Sequence, residues 1–216
     1  MIAHWDIVQG TEEWHKIRYG KIGGTLAKSI LVEGDTLIKN VGSCYLEPFE
    51  LEVDGYESHD MIRGTELEPV ARRELSAYTG FDFLECGWLQ SEECELMGIS
   101  PDGITKDLTI GAEIKCPAKE KHTETLFNGV IPDGNIYQCL QLFAVNPLFE
   151  VVYFASFRPE SQYPLFVRGI TLQQEIILTV NRKKYIGTVQ SFVERMRASS
   201  TVIHATIKLK IKSLEF

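Results

Sequence analysis

Residues 100–117 read SPDGITKDLTIGAEIKCP. Side chains alternate faces along a strand, so within GAEIKCP (111–117) Glu113 and Lys115 point one way while Ala112 and Ile114 point the other. Taken alone, this is a half-exposed strand carrying a cross-face ion pair, an arrangement that contributes little. The preceding residues enlarge the reading. Pro101 and Gly103 bend the chain where one strand ends, TKDL (105–108) turns it, and TIGAEIKCP (109–117) returns alongside. Asp102 is thereby brought towards the face of Glu113 and Lys115, although SPDG by itself also fits an ordinary turn. Two carboxylates that converge repel, and one is pushed to protonate. A divalent cation resolves the conflict, and hard oxygen ligands suit Mg²⁺, which bridges carboxylates to phosphates. A lysine beside such an ion orients a water, or helps to deprotonate it, and offsets charge on the phosphorus centre. Asp followed by Glu-x-Lys on adjacent strands is a coherent recipe for hydrolysing a phosphodiester.

The totals are ordinary for a soluble globular protein. At 216 residues, 44% hydrophobic and 24% charged, the chain is expected to form one domain with a full core. No apolar run approaches the roughly 18 residues of a membrane span. The start, MIAHWDIVQGTEEW, lacks a signal-peptide pattern, so a cytoplasmic location is expected. Five cysteines without a C-x-x-C pair disfavour a zinc or iron–sulfur site. The net charge of −8 is unevenly spread. Residues 181–216 carry eight Lys and Arg against two Glu, which leaves −14 on the remainder. A basic end on an acidic body suits a polyanion held near a carboxylate-rich site, and equally a solvated helix face and tail.

Along the chain, TEEWHKIRYG (11–20) predicts a helix with Thr11 at the N-cap and Gly20 at its end. GGTLAKSIL (23–31) predicts a second helix start. RGTELEPVARRELSAYTG (63–80) predicts a helix capped at Thr65 and stopped by Gly80. FDFLECGWLQ (81–90) and LMGISPDGIT (96–105) read as strands, GNIYQCLQLFAV (134–145) as a helix and FEVVYFASF (149–157) as an apolar strand. Apolar spacing over 172–197 predicts one long helix, and IKLKIK (207–212) alternates like a strand. Helices, strands, helix, strand, helix suggest a mixed α/β sheet with helices on its faces.

Five motifs in order then resemble one family. QGTEEWHKIRYGKIGGT (9–25), RGTELEPVAR (63–72), SPDG (100–103), EIKCP (113–117) and YQCLQLFAV (137–145) resemble the lambda-exonuclease-type (YqaJ-like viral recombinase) branch of the PD-(D/E)xK nuclease superfamily. The resemblance covers about residues 6–155. It implies a restriction-endonuclease-like core at 61–160, end-binding helices at 1–60, and a C-terminal helix with a basic tail at 161–216.

It also implies roles. Asp102, Glu113 and the Ile114 carbonyl are expected to ligate Mg²⁺, with Mn²⁺ as a substitute, and Lys115 to position the water. Glu68 corresponds to the acidic residue that completes the site, in some members through a second metal; Thr65-x-x-Glu68 reads equally as a capping box. Gln138 corresponds to the glutamine after the catalytic hairpin, with Gln141 as the alternative because QCLQ stands where Gln-x-Gln is usual. Arg18 and Thr25 correspond to residues that receive the 5′-phosphate of a DNA end, and a guanidinium fork and a hydroxyl at a helix start suit phosphate. Basic residues in NRKKY (181–185) and ERMR (194–197) are candidates for DNA-backbone contact. Cys116 and Cys139 are expected to pack near the site, and His4 and His15 receive no role.

The implied activity is a Mg²⁺-dependent 5′-to-3′ exonuclease on linear double-stranded DNA. It would work as a homotrimeric ring beside a single-strand-annealing protein, in a bacterial host and of phage or prophage origin. The alternatives are an endonuclease or repair nuclease on the same core, and a non-catalytic DNA-binding protein.

Overall fold

A computed structural model describes residues 1–32, 35–51, 59–180 and 182–214. Strand β1 (Ile2–His4) leads to helix α1 (Glu12–Arg18), a 3₁₀ turn (Gly24–Leu26), α2 (Ala27–Val32), α3 (Asp35–Ser43) and α4 (His59–Thr79). Short strands β2 (Trp88–Gln90), β3 (Gly98–Ile99) and β4 (Gly103–Ile104) precede β5 (Ile110–Lys115). Helices α5 (Lys119–Asn128) and α6 (Asp133–Val145) then cross over to β6 (Val151–Phe157). Strands β7 (Leu165–Ile170), β8 (Glu175–Val180) and β9 (Lys183–Thr188) and helix α7 (Val189–Lys212) complete the described chain.

The sheet that matters for chemistry has the order β4-β5-β6-β7. Strands β5 and β6 run parallel, whereas β4 and β7 pair antiparallel at the edges. A parallel pair needs a crossover, and α5 and α6 supply it. This is the mixed α/β arrangement expected. One apolar cluster joins Ile22 and Ile30, Leu140 and Phe143, and Val189 and Ile203, so early, middle and late segments share a core. A second cluster packs Ala71 and Leu75 of α4 on Ala112 and Ile114 of β5. No helix among the described residues is long and apolar enough to cross a membrane.

Helix α1 forms as its sequence predicts: the Thr11 hydroxyl accepts from the Trp14 N–H, and Gly20 follows at φ +69°. Five expectations are corrected. Helix α4 starts at His59, so Thr65 lies inside it and the capping-box reading of Glu68 lapses. The segment 81–90 is strand only at Trp88–Gln90, with Leu84 in an isolated bridge to Ile104. The segment 96–105 breaks into β3 and β4, because Pro101 lacks the N–H a continuous ladder needs.

The fourth correction is the largest. Residues 172–197 are not one helix; β8 and β9 form a hairpin, and α7 begins only at Val189. The segment is rich in β-branched residues, and its burial has period two: Leu178 is fully buried while its neighbour Ile177 is exposed. Arg182 takes φ +64° at the hairpin end, and Asn181 lies outside the described residues. Lys183, Lys184 and Tyr185 of NRKKY are therefore on β9. IKLKIK belongs to α7, where Ile203 and Ile207 are buried one helical turn apart and the lysines face outward.

Candidate active site

Strand β4 begins only at Gly103, opposite Ala112, so the last residues of β5 have no strand on that side. The Asp102 carboxylate takes the place of the missing strand: its Oδ2 accepts the Ile114 N–H at 2.7 Å. In an extended strand the N–H and C=O of one residue point to the same edge. The Ile114 carbonyl therefore faces the Asp102 side, where a ligand role requires it. One residue on, Lys115 Nζ donates to Asp102 Oδ2 at 3.3 Å and lies 2.5 Å from Glu113 Oε1. Asp102, Glu113 and Lys115 are thus brought together as their sequence spacing implies. Glu113 is 1% exposed, and the Lys115 ammonium is the cation beside its Oε1.

Glu68 approaches from α4, past the end of β4. Arg72, one helical turn later, holds it there. Its Nη2 donates to Glu68 Oε1 at 2.6 Å, its Nε to the Asp102 carbonyl at 2.6 Å, and its Nη1 to Glu85 at 3.3 Å. Sequence reading missed Arg72. The available signal was its i,i+4 spacing from Glu68.

Crowded carboxylates in a partly dry site compete for protons. Burial pushes the Glu68 carboxyl up to about 7, and the Asp102 charge adds to the rise against the pull of Arg72. Burial raises Glu113 too, with Asp102 again adding. Burial works against the Lys115 ammonium, yet Asp102 and Glu113 outweigh it and hold its proton more firmly than usual. Cys116 is pushed up to about 11 by burial, and fully buried Cys139 also rises. Both are neutral thiols that pack.

The donor set fits a hard divalent cation in kind: two carboxylates and a carbonyl face one edge, and Lys115 is a single cation against Asp102 and Glu113. Among the described residues no three His, Cys, Asp or Glu side chains already gather at ligand spacing. The side-chain contacts explain this, since Lys115 sits between Asp102 and Glu113 while Arg72 draws Glu68 aside.

A cavity of about 620 Å³ opens beside this cluster, and neither Asp102 nor Glu113 lines it. Glu68, Ile114 and Lys115 line it, with Lys121 of α5, Asn135 of α6 and Trp14 of α1 among its walls. The Trp14 indole N–H donates to Ser100 Oγ and the Gly87 carbonyl, while Gln9 Nε2 donates to the carbonyls of Cys86 and Pro101. The N-terminal segment is thereby tied to the turn that carries Asp102.

Arg18 stacks on Trp14, 3.7 Å above the ring centroid. Among the described residues no carboxylate pairs with it, and burial lowers its pKa. Its guanidinium lies beside Gly23, where an added Cβ would sit 3.9 Å from Nη2. Thr25 is exposed in the adjoining 3₁₀ turn.

The two glutamines separate clearly. Gln141 is fully buried, and its amide donates to the carbonyls of Ile22 and Gly98 at 2.6 and 2.8 Å. It therefore braces the core. Gln138 is half-buried, accepts from Asn135 at 3.4 Å, and rests against Gly24. It does not itself line the cavity, but it neighbours Gly24 and Asn135.

Comparison with known proteins adds to this geometry. The family described as the YqaJ-like viral recombinase domain matches residues 13–146. An alkaline exonuclease from Laribacter hongkongensis superposes with a TM-score of 0.76 at 23% identity, over 95% of this chain and 96% of its own. The structure of that enzyme in complex with dAMP matches equally well, with the same score, identity and coverage. A phage-related exonuclease from Haemophilus somnus 129PT gives a TM-score of 0.48 at 10% identity, over 88% and 96% of the two chains. At these identities the likeness is one of fold. No curated protein matches the chain.

Proposed function

The chain belongs to the YqaJ-like viral recombinase family, and from that premise we propose that it is a Mg²⁺-dependent exonuclease that degrades one strand of linear duplex DNA from its 5′ end. The observation that carries the reading is the gathering of Asp102, Glu113 and Lys115 at the open edge of β5, beside a cavity lined by Lys115 and Glu68. Hydrolysis adds a water oxygen to phosphorus and breaks the P–O3′ bond. The leaving 3′-oxygen takes a proton, and a nucleoside 5′-monophosphate is released.

Asp102, Glu113 and the Ile114 carbonyl would hold Mg²⁺, with Glu68 available for a second ion and Mn²⁺ a natural substitute. Bound there, the metal supplies Lewis acidity towards the phosphate and acidifies its water. Lys115 keeps its ammonium between two carboxylates, so its part is to donate: it orients the water and offsets charge on the phosphate. Arg18 and Thr25 receive the terminal 5′-phosphate at the entrance, with Gln138 beside them. Removing nucleotides from one strand leaves a 3′ overhang, the substrate of a single-strand-annealing partner in phage-type recombination.

Arg182, Lys183 and Lys184 at the hairpin end, with Arg195 and Arg197 of α7, contact the DNA backbone without reading sequence. A ring-shaped trimer in the cytoplasm of a bacterial host completes the proposal. A ring confines DNA topologically, so a net charge of −8 is no obstacle.

The test is Lys115→Ala, assayed for release of acid-soluble nucleotides in Mg²⁺ with an EDTA control. The wild-type protein should cleave only with metal, and the variant should bind DNA without cleaving it. Normal turnover by the variant would remove Lys115 from the mechanism.

A further inference from the structure

One buried polar pair borders the cavity and has no part in the scheme above. His122 of α5 and Ser156 of β6 are each 1% exposed. His122 Nδ1 lies 2.9 Å from Ser156 Oγ, and His122 Nε2 lies 2.9 Å from the Tyr163 carbonyl. A carbonyl only accepts, so Nε2 must carry hydrogen. In the neutral ring Nδ1 is then a lone pair, and the Ser156 hydroxyl must donate to it. The hydrogen of Ser156 is thereby committed to His122, and its oxygen has lone pairs left to offer.

The sheet register says where that oxygen is. Ser156 is the partner of Lys115 in the parallel β5–β6 ladder, and paired residues project from the same face. Ser156 also lines the cavity together with Lys115. An oxygen whose hydrogen is already used repels a phosphate oxygen and accepts from a water or an ammonium group. Ser156 and Lys115 share no direct hydrogen bond, so a water between them is the natural occupant.

We propose that Ser156, oriented by His122, is a positioning residue that accepts a hydrogen bond from the water held by Lys115. Two fixed points, a donor at Lys115 and an acceptor at Ser156, would turn the oxygen of that water towards phosphorus. The inference rests on the hydrolytic reading of the site.

The test compares Ser156→Ala, His122→Asn and His122→Gln in the full chain. Steady-state cleavage of a 5′-phosphorylated duplex in Mg²⁺ is measured beside thermal unfolding. An asparagine oxygen stands near the place of Nδ1 and can still accept from Ser156, but it loses the Tyr163 bond. A glutamine amide reaches the place of Nε2 and keeps Tyr163, but it leaves the Ser156 hydroxyl unaimed.

If Ser156 positions the water, Ser156→Ala and His122→Gln should each lower kcat by about 10- to 100-fold at unchanged KM. His122→Asn should keep the higher kcat of the two histidine variants. If the pair only ties down residues 158–164, the order reverses, with His122→Gln the milder change in both kcat and melting temperature. That order, or a Ser156→Ala kcat equal to wild type, overturns the proposal. A wild-type protein that cleaves nothing would instead refute the exonuclease reading, a separate failure.

Discussion

Arg72 is the residue whose removal should most expose how the site is held. It is 9% exposed and serves three acceptors on three segments. Arg72→Met keeps the apolar stem and removes every donor. The bond to the Asp102 carbonyl is charge-assisted, and such bonds contribute about 1.5–3 kcal/mol. The Glu68 pair, whose side chains are 11% and 27% exposed, falls in the same range of about 1.5–3 kcal/mol. Glu85 is 46% exposed, and such a pair adds about 0–1 kcal/mol. Glu68 can escape part of its penalty by taking a proton, so the lower end applies, about 3 kcal/mol.

In urea, with a slope of about 3 kcal/mol/M for a chain of this size, the midpoint should fall by about 1 M. A double-mutant cycle with Glu68→Gln separates the contributions. Neutralising Glu68 should recover about 1–2 kcal/mol in the Arg72→Met background. A loss below about 1 kcal/mol, or strict additivity of the two substitutions, would refute the view of Arg72 as the clamp between α4 and the Asp102 turn.

Two other predictions concern charge. Glu68 binds its proton more tightly in the fold than in the unfolded chain. Its contribution to stability is therefore present below the ordinary value of 4.5 and lost as pH rises through about 7. In metal-free buffer the melting temperature of wild type should fall over that window more steeply than that of Glu68→Gln, and parallel curves would contradict the assignment. Arg18→Ala should erase the preference for 5′-phosphorylated over 5′-hydroxyl ends more than it slows cleavage; equal slowing on both ends would remove Arg18 from the end pocket.

The hairpin that carries Asp102, Glu113 and Lys115 was legible because its signals are local. Alternation fixed Glu113 and Lys115 on one face, and Pro101 with Gly103 marked the turn carrying Asp102. Helix α1 was equally plain from Thr11 and Gly20. What failed was longer in range or ambiguous in period. Ile176 and Val180 satisfy a helical spacing and a strand alternation alike, and only packing of Leu178 and Val180 against the core decides between them. The start of α4 was misplaced because Thr65 and Glu68 imitate a cap; in the fold Glu68 is held by Arg72 instead.

Gln138 and Gln141 could not be ranked from QCLQ, since what separates them is the backbone of residues 22 and 98, which lie 119 and 43 positions before Gln141 in the chain. Ser156 gave no signal at all, because its place beside Lys115 is a matter of strand register.

The central claim is best tested on three DNA substrates in Mg²⁺, with an EDTA control: a linear duplex with 5′-phosphate ends, the same duplex with 5′-hydroxyl ends, and a covalently closed circle. The account predicts rapid loss of one strand of the phosphorylated duplex, mononucleotide products, a surviving complementary strand and an intact circle. Cutting of the circle would contradict it in favour of an endonuclease, and no cutting of any substrate would contradict hydrolysis itself.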